Sequence, residues 1–266
     1  MEILCSIKLM KKKYHISFPK EHADHLNQDE AYFFYWDDEN NEKKKLRFHD
    51  YNEIYKIEGL YEQLFYDRLK CASPVKISSL LKNALSQSDK NLSELRILDL
   101  GAGNGVVGFE LKKYGISRLI GVDILPEAKE ATLRDRPGTY DNYYVCDFQN
   151  LDKKTAENIA EWRCNCLISV AALGFGDIPP NAFVNAFNII ESQGWVGFNI
   201  KETFLDKKDN SGFSKTIQEI IFSEFLDIYN LERYQHRLSI EGAPIYYYAI
   251  IGKKINDIPK NFLTYN

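Results

Sequence analysis

The sequence contains no long apolar run, no paired cysteines and no surplus of basic residues. No uninterrupted apolar stretch approaches the roughly 18 residues that a membrane span requires, and residues 1–5 do not form the basic-then-apolar start of a secretory signal. The five cysteines are odd in number and have neither C-x-x-C pairing nor histidines at zinc spacing. We therefore expect a cytoplasmic protein with reduced thiols, no metal site and no membrane partner.

Acidic and basic side chains are nearly balanced. The 266 residues include 34 Lys and Arg against 38 Asp and Glu, which gives a formal net charge of −4 and a pI near 5.8. Proteins that bind a nucleic-acid backbone usually carry a surplus of positive charge. A local basic face on this protein is the alternative. We expect no nucleic-acid partner. The length suffices for one α/β domain of about 200 residues with an appendage, or for two small domains.

The first part of the chain differs in pattern from the rest. Strand-forming residues dominate up to residue 50, and a polar stretch at 40–41 predicts a hairpin turn. The lysines at 43–45 are interpreted as a solvated hairpin tip, with an anion-binding patch as the alternative. Helical apolar spacing follows, with Ser73 as a helix cap. We assign residues 1–85 to an N-terminal β-hairpin and helical appendage.

Strands and helices then alternate five times between residues 95 and 200. This alternation predicts a doubly wound α/β fold, with helices on both faces of a parallel sheet. Two further strands are predicted over 232–240 and 244–253, and the short turn between them can join only antiparallel neighbours. We assign residues 86–254 to this core domain and residues 255–266 to a C-terminal tail.

A glycine-rich loop with an acidic residue before it carries the main functional signal. It follows the first strand of the core, at the end where open α/β sheets bind ligands, and reads Asp99-Leu100-Gly101-Ala102-Gly103-Asn104-Gly105. Glycine there permits positive φ and lets a ligand approach the backbone closely. Asp123 and Asp147 end the next two strands, where their carboxylates can accept from ribose hydroxyls and from an exocyclic amine. Together these residues predict a nucleoside-binding site.

The same loop also satisfies the dinucleotide pattern G-x-G-x-x-G through Gly103, Gly105 and Gly108. A diphosphate, however, prefers backbone amides and a helix N-terminus without a carboxylate nearby. Asp99 at the mouth of the loop would repel a diphosphate and attract an ammonium group. The pattern therefore favours a cationic nucleoside that bears an amino acid over a nicotinamide dinucleotide.

The loop together with Asp123 and Asp147 resembles the first three motifs of the class I S-adenosylmethionine-dependent methyltransferases. The resemblance extends over residues 75–254 and implies a seven-stranded, mostly parallel, Rossmann-like sheet with an antiparallel C-terminal strand. Tyr66-Asp67 and Ser73-Pro74 are similar to short elements that precede the core in small-molecule and ubiquinone-type members. The implied cofactor is S-adenosyl-L-methionine.

The resemblance also implies roles for individual residues. Asp99 and the loop backbone receive the methionine portion of the cofactor, and Asp123 holds the ribose hydroxyls. Ile124 or Leu125 packs on the adenine, whose amine donates to Asp147. The full set of implied cofactor-binding residues is Asp99, Gly101, Ala102, Gly103, Gly105, Asp123, Ile124, Leu125, Asp147, Phe148 and Ser169.

A general base is needed only when the acceptor must lose a proton before or during methyl transfer. The candidates are His49, Tyr66 and His236, and a structural role is the alternative for both histidines. The neighbouring tyrosines at 51, 55 and 61 are spaced for core packing, with a lid or acceptor contact as the alternative. Glu202 is either an acceptor contact or a solvated loop charge.

The loop after the fourth core strand limits the choice of acceptor. It lacks the Asp/Asn-Pro-Pro-Tyr motif of adenine- and glutamine-modifying relatives and the Pro-Cys nucleophile of cytosine C5 chemistry. Tyr and Phe, 17 and 16 in number, are concentrated outside the nucleotide-binding half. We predict in-line methyl transfer to a small, partly apolar or aromatic acceptor. The alternatives are a catalytically silent S-adenosylmethionine-binding or dimerisation protein and an NAD-dependent oxidoreductase; a protein acceptor and a homodimer stay open.

Overall fold

The computed structural model describes residues 12–19, 30–37, 40–88, 91–173, 177–205, 213–259 and 262. Residues 1–11, the first part of the stretch for which strands are predicted, lie outside these ranges, and strands there stay a prediction. The described strands form two sheets, one with three strands and one with seven. Among the described helices, none is both long and apolar enough to cross a membrane.

The small sheet is antiparallel and consists of β1 (Ile16–Ser17), β2 (Tyr32–Asp37) and β3 (Glu42–Arg47). The hairpin predicted around residues 40–41 is confirmed as the β2–β3 connection. Its lysines contact their own hairpin, since Lys44 pairs with Asp37 at 2.7 Å while Lys43 and Lys45 lie over the rings of Phe34 and Tyr32.

Three helices follow the hairpin: α1 (Tyr51–Lys56), α2 (Leu60–Glu62), which continues as π-helical turns over Gln63–Arg68, and α3 (Ser73–Ser86). The cap predicted at Ser73 is wrong by one residue, because Ala72 is the N-cap and makes no side-chain capping bond. The Ser73 hydroxyl instead bonds to Tyr234 and His236 of a distant strand. A buried tertiary network has replaced local capping.

The large sheet has the strand order β6-β5-β4-β7-β8-β10-β9. Its strands are β4 (Arg96–Leu100), β5 (Arg118–Asp123), β6 (Asn142–Val145), β7 (Cys166–Ser169), β8 (Trp195–Lys201), β9 (Leu226–Leu238) and β10 (Pro244–Lys254). The ladders from β6 to β8 are parallel, and β10 is antiparallel to both of its neighbours. This order confirms the predicted doubly wound α/β sheet with its antiparallel last strand. β9 begins earlier than predicted.

Helices cover both faces of the large sheet and bury two apolar clusters against it. They are α4 (Val106–Lys112), α5 (Pro126–Asp135), α6 (Lys153–Ala160), α7 (Pro180–Ile189) and α8 (Phe213–Ile221). α3 packs on one face through Ile77, Leu80 and Leu81. The boundaries proposed at residues 85 and 254 stay predictions, but this packing shows that α3 contacts the core sheet directly.

Candidate functional site

The carboxyl ends of β4, β5, β6 and β7 open onto a cavity of about 370 Å³. The loops that follow these four strands form its floor and sides, and α1 and α2 of the N-terminal part form the opposite wall. This position is where open α/β sheets bind ligands, and the volume lies in the ordinary range for a small-molecule site. We call this space the main cavity.

The glycine loop lines the main cavity through Gly101, Ala102 and Gly103. Gly101 and Gly103 have φ of 75° and 54°, the left-handed region that glycine adopts without strain. A Cβ on Gly101 would lie 2.7 Å from the Ala172 Cβ, and one on Gly103 would lie 2.6 Å from the Tyr55 hydroxyl oxygen. Both glycines are therefore required by close approach as well as by backbone conformation.

Asp123 anchors the glycine loop from the end of β5. Its carboxylate accepts the backbone N–H of Gly103 at 2.9 Å and that of Leu125 at 3.0 Å. Burial raises the pKa of Asp123, while the N–H donors of Leu125 and Gly103 act in the opposite direction. The carboxylate lines the main cavity, so it is held in place by backbone and presented to a ligand.

Asp99 lies beneath the loop and not on the cavity wall. It is completely buried, and one of its oxygens accepts the Tyr140 hydroxyl at 2.7 Å while the other has no partner among the described residues. Burial raises the pKa of Asp99 to about 7, and the Tyr140 hydrogen bond opposes that rise. Asp99 is thus poised to gain or lose a proton near neutral pH.

The remaining residues of the predicted cofactor set divide into two groups. Ile124, Leu125, Asp147 and Phe148 line the main cavity along with the loop. Gly105 and Ser169 do not, and the Ser169 hydroxyl donates to the Leu100 carbonyl inside the sheet. Hydrogen bonds from Asn150 and from the Gln149 N–H lower the pKa of Asp147, which therefore stays ionised at neutral pH.

Tyrosines of α1 and the following turns cover the glycine loop. Tyr51, Tyr55, Tyr61 and Tyr66 all line the main cavity, and the rings of Tyr55 and Tyr61 lie 5.2 Å apart. Burial raises the pKa of each of these phenols, so all four stay neutral. The tyrosines whose spacing predicts core packing thus also line the main cavity, and their contact with an acceptor stays a prediction.

His49, one of the candidate bases, lies at the edge of the main cavity. Its Nδ1 is 3.0 Å from the Asp177 carboxylate, and both residues line the cavity. A carboxylate at Nδ1 favours the tautomer that carries its proton there and fixes the orientation of the ring. Sequence reasoning missed Asp177, because its partner is 128 residues away and no local motif marks the pair.

His236 sits in a buried hydrogen-bond chain on β9. The Asn199 side-chain oxygen accepts the Ala171 N–H, so its amide group donates to Tyr234. Because Asn199 donates to both Tyr234 and Ser73, we assign the Tyr234 hydroxyl proton to Ser73, its acceptor in the described part of the chain, and the Ser73 hydroxyl proton to His236 Nδ1. Burial lowers the pKa of His236, which is therefore neutral with its proton on Nε2. A base needs an available lone pair, and here that on Nδ1 is already engaged.

Of the three candidate bases, His49 and Tyr66 line the main cavity and His236 does not. Glu202 does not line it either, since its carboxylate pairs with Arg233 at 2.7 Å. Within the described ranges, no group of three or more His, Cys, Asp or Glu residues has the arrangement of a metal site.

The Glu62 side chain connects the N-terminal helices, which carry the cavity-lining tyrosines, to the core domain. One carboxylate oxygen accepts from Asn104 of the glycine loop at 2.8 Å and from Arg136 after α5 at 2.6 Å. Both members of the Glu62–Arg136 pair are largely buried, with side chains 18% and 13% exposed. Together with Asn104, the pair therefore joins α2, the glycine loop and the segment after α5 in a place where solvent screens the charges little.

The Glu62→Ala variant is expected to lower the free energy of unfolding by about 2 kcal/mol, because it leaves a largely buried guanidinium without its anion. Urea denaturation measures this change. The matched control is Glu157→Ala, whose pair with Lys153 is exposed and 3.8 Å long, and whose stability should stay at the wild-type value. Equal losses in the two variants would contradict the role given to Glu62.

Comparisons with known proteins bear on the fold. No protein-family model matches the chain, and no curated protein sequence matches it significantly. Solved structures do match the chain. The N-methyltransferase NodS from Bradyrhizobium japonicum WM9, in complex with S-adenosyl-l-homocysteine, aligns with a TM-score of 0.52 and 11% sequence identity, covering 79% of this chain and 98% of that chain.

Two further solved structures are similar over a shorter part of the chain. A putative RNA methyltransferase from Pyrococcus horikoshii has a TM-score of 0.49 and 17% identity, covering 68% of this chain and 85% of that chain. Magnesium protoporphyrin IX methyltransferase from Synechocystis PCC 6803, with bound SAM, has a TM-score of 0.46 and 12% identity, covering 68% and 79%.

The similarity to NodS and the observed strand order together show the class I methyltransferase fold. They confirm, at the level of the fold, the resemblance predicted from the glycine loop and its acidic residues. At this sequence identity the comparison assigns the architecture and leaves the ligand and the reaction to the chemistry of the site.

Proposed function

We propose that the chain is an S-adenosylmethionine-dependent methyltransferase that acts on a small acceptor. The observation that carries the proposal is the charge of the main cavity. Asp123, Asp147 and Asp177 line it, whereas no Lys or Arg is found among the described lining residues. S-adenosylmethionine brings a sulfonium and an ammonium group, which this wall attracts. The diphosphate of NAD brings two negative charges, which it repels.

The residues present also fit the shape of this cofactor. In this proposal Asp123 accepts from the ribose hydroxyls, Ile124 and Leu125 pack beside the adenine, and Asp147 accepts from its amine; all four residues line the main cavity. In this proposal the backbone of Gly101 and Gly103 lies close to the methionine portion, and a Cβ at either position would displace the loop by meeting Ala172 or Tyr55. The orphaned oxygen of Asp99 lies below this portion of the loop and adds negative potential for the ammonium group.

When bound, S-adenosylmethionine supplies an electrophilic methyl group for in-line displacement, and the protein supplies alignment and a dry site. Tyr51, Tyr55 and Tyr61 exclude water from the side opposite the glycine loop. His49, oriented by Asp177, takes the acceptor proton at Nε2 when the acceptor must lose one. Tyr66 is the weaker candidate because its buried phenol resists ionisation.

Thermal denaturation with added ligands tests the cofactor. S-adenosylhomocysteine at saturating concentration should raise the melting temperature by several degrees, since it binds only the folded state. NAD should leave the melting temperature unchanged. A shift with NAD and none with S-adenosylhomocysteine would overturn the proposal in favour of an oxidoreductase. Binding without any turnover on an acceptor panel would instead favour the catalytically silent alternative.

Substitution of Asp123 tests the placement of the cofactor. Asp123→Asn should weaken S-adenosylhomocysteine binding by about tenfold, since it removes the charge that strengthens the bonds to the ribose hydroxyls. Isothermal titration calorimetry measures the affinity. The control is Asp141→Asn, because Asp141 also accepts a backbone N–H, that of Leu119 at 2.7 Å, but does not line the cavity. Unchanged affinity in Asp123→Asn would refute the placement.

A further inference from the structure

A second, smaller cavity of about 40 Å³ lies next to the main cavity, and we call it the inner cavity. The two share His49, Tyr51, Tyr61, Ala171 and Asp177 in their walls. On this measure one water molecule needs about 10–15 Å³, so the inner cavity admits a polar group of a few heavy atoms and not a whole acceptor. Its position makes it an extension of the acceptor side of the site.

Arg237 lines the inner cavity and is 4% exposed. An arginine stays charged in a protein, so this is a buried cation even though burial lowers its pKa. Its guanidinium donates to the Leu238 carbonyl at 2.8 Å and lies 5.5 Å from the centre of the Phe48 ring. In the described part of the chain, no acidic residue forms a salt bridge with it. Most of its hydrogen-bonding capacity is therefore not used by an anion of the protein.

The charge of another deeply buried cation is compensated by neighbouring oxygen atoms. Lys254 is 2% exposed, and its ammonium group contacts the Asp257 carboxylate and the carbonyls of Asn188 and Ile190. An uncompensated buried charge is strongly unfavourable, which is why such groups are usually paired. Among the described residues Arg237 has no such anion, and it lies at the wall of a cavity, where a ligand can supply one.

His236 adds a second donor to the same cavity wall. It lines the inner cavity beside Arg237, and its ring lies 4.0 Å from that of Tyr247. Because the Ser73 hydroxyl donates to Nδ1, the neutral ring carries its proton on Nε2 and acts there as a donor. One charged and one neutral donor thus meet at a cavity of the size of a carboxylate group.

Asp177, the acidic residue that lines the inner cavity, does not neutralise Arg237. Asp177 is engaged with His49 at 3.0 Å, and no ion pair joins it to Arg237. Two of the three acidic residues that attract the cofactor, Asp123 and Asp147, line the main cavity alone, whereas Arg237 lines the inner cavity and forms no salt bridge within the described ranges. This separation of charge fits an acceptor that is anionic at one end.

We propose that the methyl acceptor carries a carboxylate, which Arg237 and His236 bind in the inner cavity. The rest of the acceptor then extends past Tyr51 and Tyr61 into the main cavity, towards the glycine loop. The inference deepens the proposed function and rests on it, because it assigns the acceptor end of the same site. Arg237 and His236 are specificity-determining residues in this assignment.

Calorimetric titration with benzoate and benzamide, onto protein saturated with S-adenosylhomocysteine, tests this assignment. The two probes have nearly the same shape and differ in charge. Wild-type protein should bind benzoate at least about tenfold more tightly than benzamide, as a charge-assisted bond to a buried guanidinium requires. Arg237→Gln should abolish this preference, and Arg237→Lys should retain part of it because the charge remains while the planar fork is lost.

The control variant is Arg163→Gln, which removes an equal charge from a side chain that is 79% exposed and paired with Glu191. It should keep the wild-type preference. Equal binding of benzoate and benzamide by wild-type protein would overturn the inference, and so would an undiminished preference in Arg237→Gln. If Arg237→Gln does not fold, the wild-type comparison and Arg237→Lys still decide. The proposed function fails separately, by absence of S-adenosylhomocysteine binding in the first titration.

Discussion

Replacing Gly103 by alanine is expected to lower S-adenosylhomocysteine affinity by roughly two orders of magnitude. The backbone of Gly103 is the centre of the loop: its N–H donates to Asp123, and its carbonyl accepts the hydroxyls of Tyr143 at 2.7 Å and Thr132 at 2.9 Å. A Cβ would lie 2.6 Å from the Tyr55 hydroxyl oxygen, so the loop or the tyrosine must move. Displacement of the loop disturbs Asp123 at the same time, and each charged hydrogen bond is worth about 1.5–3 kcal/mol.

Gly138→Ala is the matched control for this variant. Gly138 has φ of 74°, also in the left-handed region, but a Cβ there would meet nothing within 4 Å. Both substitutions carry the backbone strain of about 1 kcal/mol, and only Gly103→Ala adds a steric conflict at the site. Calorimetry should therefore find wild-type affinity in Gly138→Ala.

A second variant tests directly the steric conflict between a Cβ at Gly103 and the Tyr55 hydroxyl. Tyr55→Phe removes the hydroxyl, after which the nearest ring carbon lies 3.4 Å from the added Cβ, an ordinary contact. The double variant Gly103→Ala/Tyr55→Phe should therefore bind S-adenosylhomocysteine more tightly than Gly103→Ala alone. If the phenylalanine does not restore any affinity, the loss arises from backbone strain and the close approach of Tyr55 is not its cause.

The core sheet could be predicted from the sequence because its signals are local. The strands from β4 to β8 are short apolar runs separated by helices, and they lie in the part of the chain where this alternation was predicted. The start of β9 was missed because, of residues 226–231, only Leu226 is buried and the others are half-buried or exposed, without a strong apolar run. The helix cap was misplaced because the Ser73 hydroxyl bonds across the fold to β9.

In the candidate site, too, the features with local signals were predicted and those that depend on tertiary packing were missed. Asp123 and Asp147 were predicted to lie at one edge because both end neighbouring parallel strands, and both line the main cavity. The pairing of His49 with Asp177 and that of Glu62 with Arg136 depend on how the N-terminal helices pack on the core, which no local pattern encodes. The burial of Asp99 was missed for a similar reason, since Tyr140 reaches it from 41 residues away.

The stability of wild-type protein is expected to fall, relative to the Asp99→Asn variant, as the pH rises from about 4 to about 8. The carboxyl of Asp99 has an ordinary pKa of 3.8, and burial raises it to about 7 in the folded protein. Between these two values the folded state binds more protons than the unfolded state, so stability decreases with rising pH. A shift of about three units corresponds to roughly 4 kcal/mol. Urea denaturation at a series of pH values measures the difference.

Tyr140→Phe provides the second variant for this titration. The Tyr140 hydroxyl donates to Asp99 and stabilises its ionised form, so removing it should raise the pKa of Asp99 further and move the loss of stability to higher pH. A pH dependence that is the same in wild type and in Asp99→Asn would show that Asp99 does not titrate in this range.

The carboxyl of Asp99 should also couple cofactor binding to the release of a proton. An ammonium group bound at the glycine loop favours ionised Asp99 and thus lowers its pKa, so binding near pH 6.5 expels a proton. Calorimetry of S-adenosylhomocysteine binding in two buffers of different ionisation enthalpy should detect this proton in wild type and not in Asp99→Asn. If both proteins bind without proton release, the ammonium group lies too far from Asp99 to affect it, and the methionine portion must be placed elsewhere in the main cavity. Proton release that is lost with Asp99 would connect the buried carboxyl to the ligand through the loop that covers it.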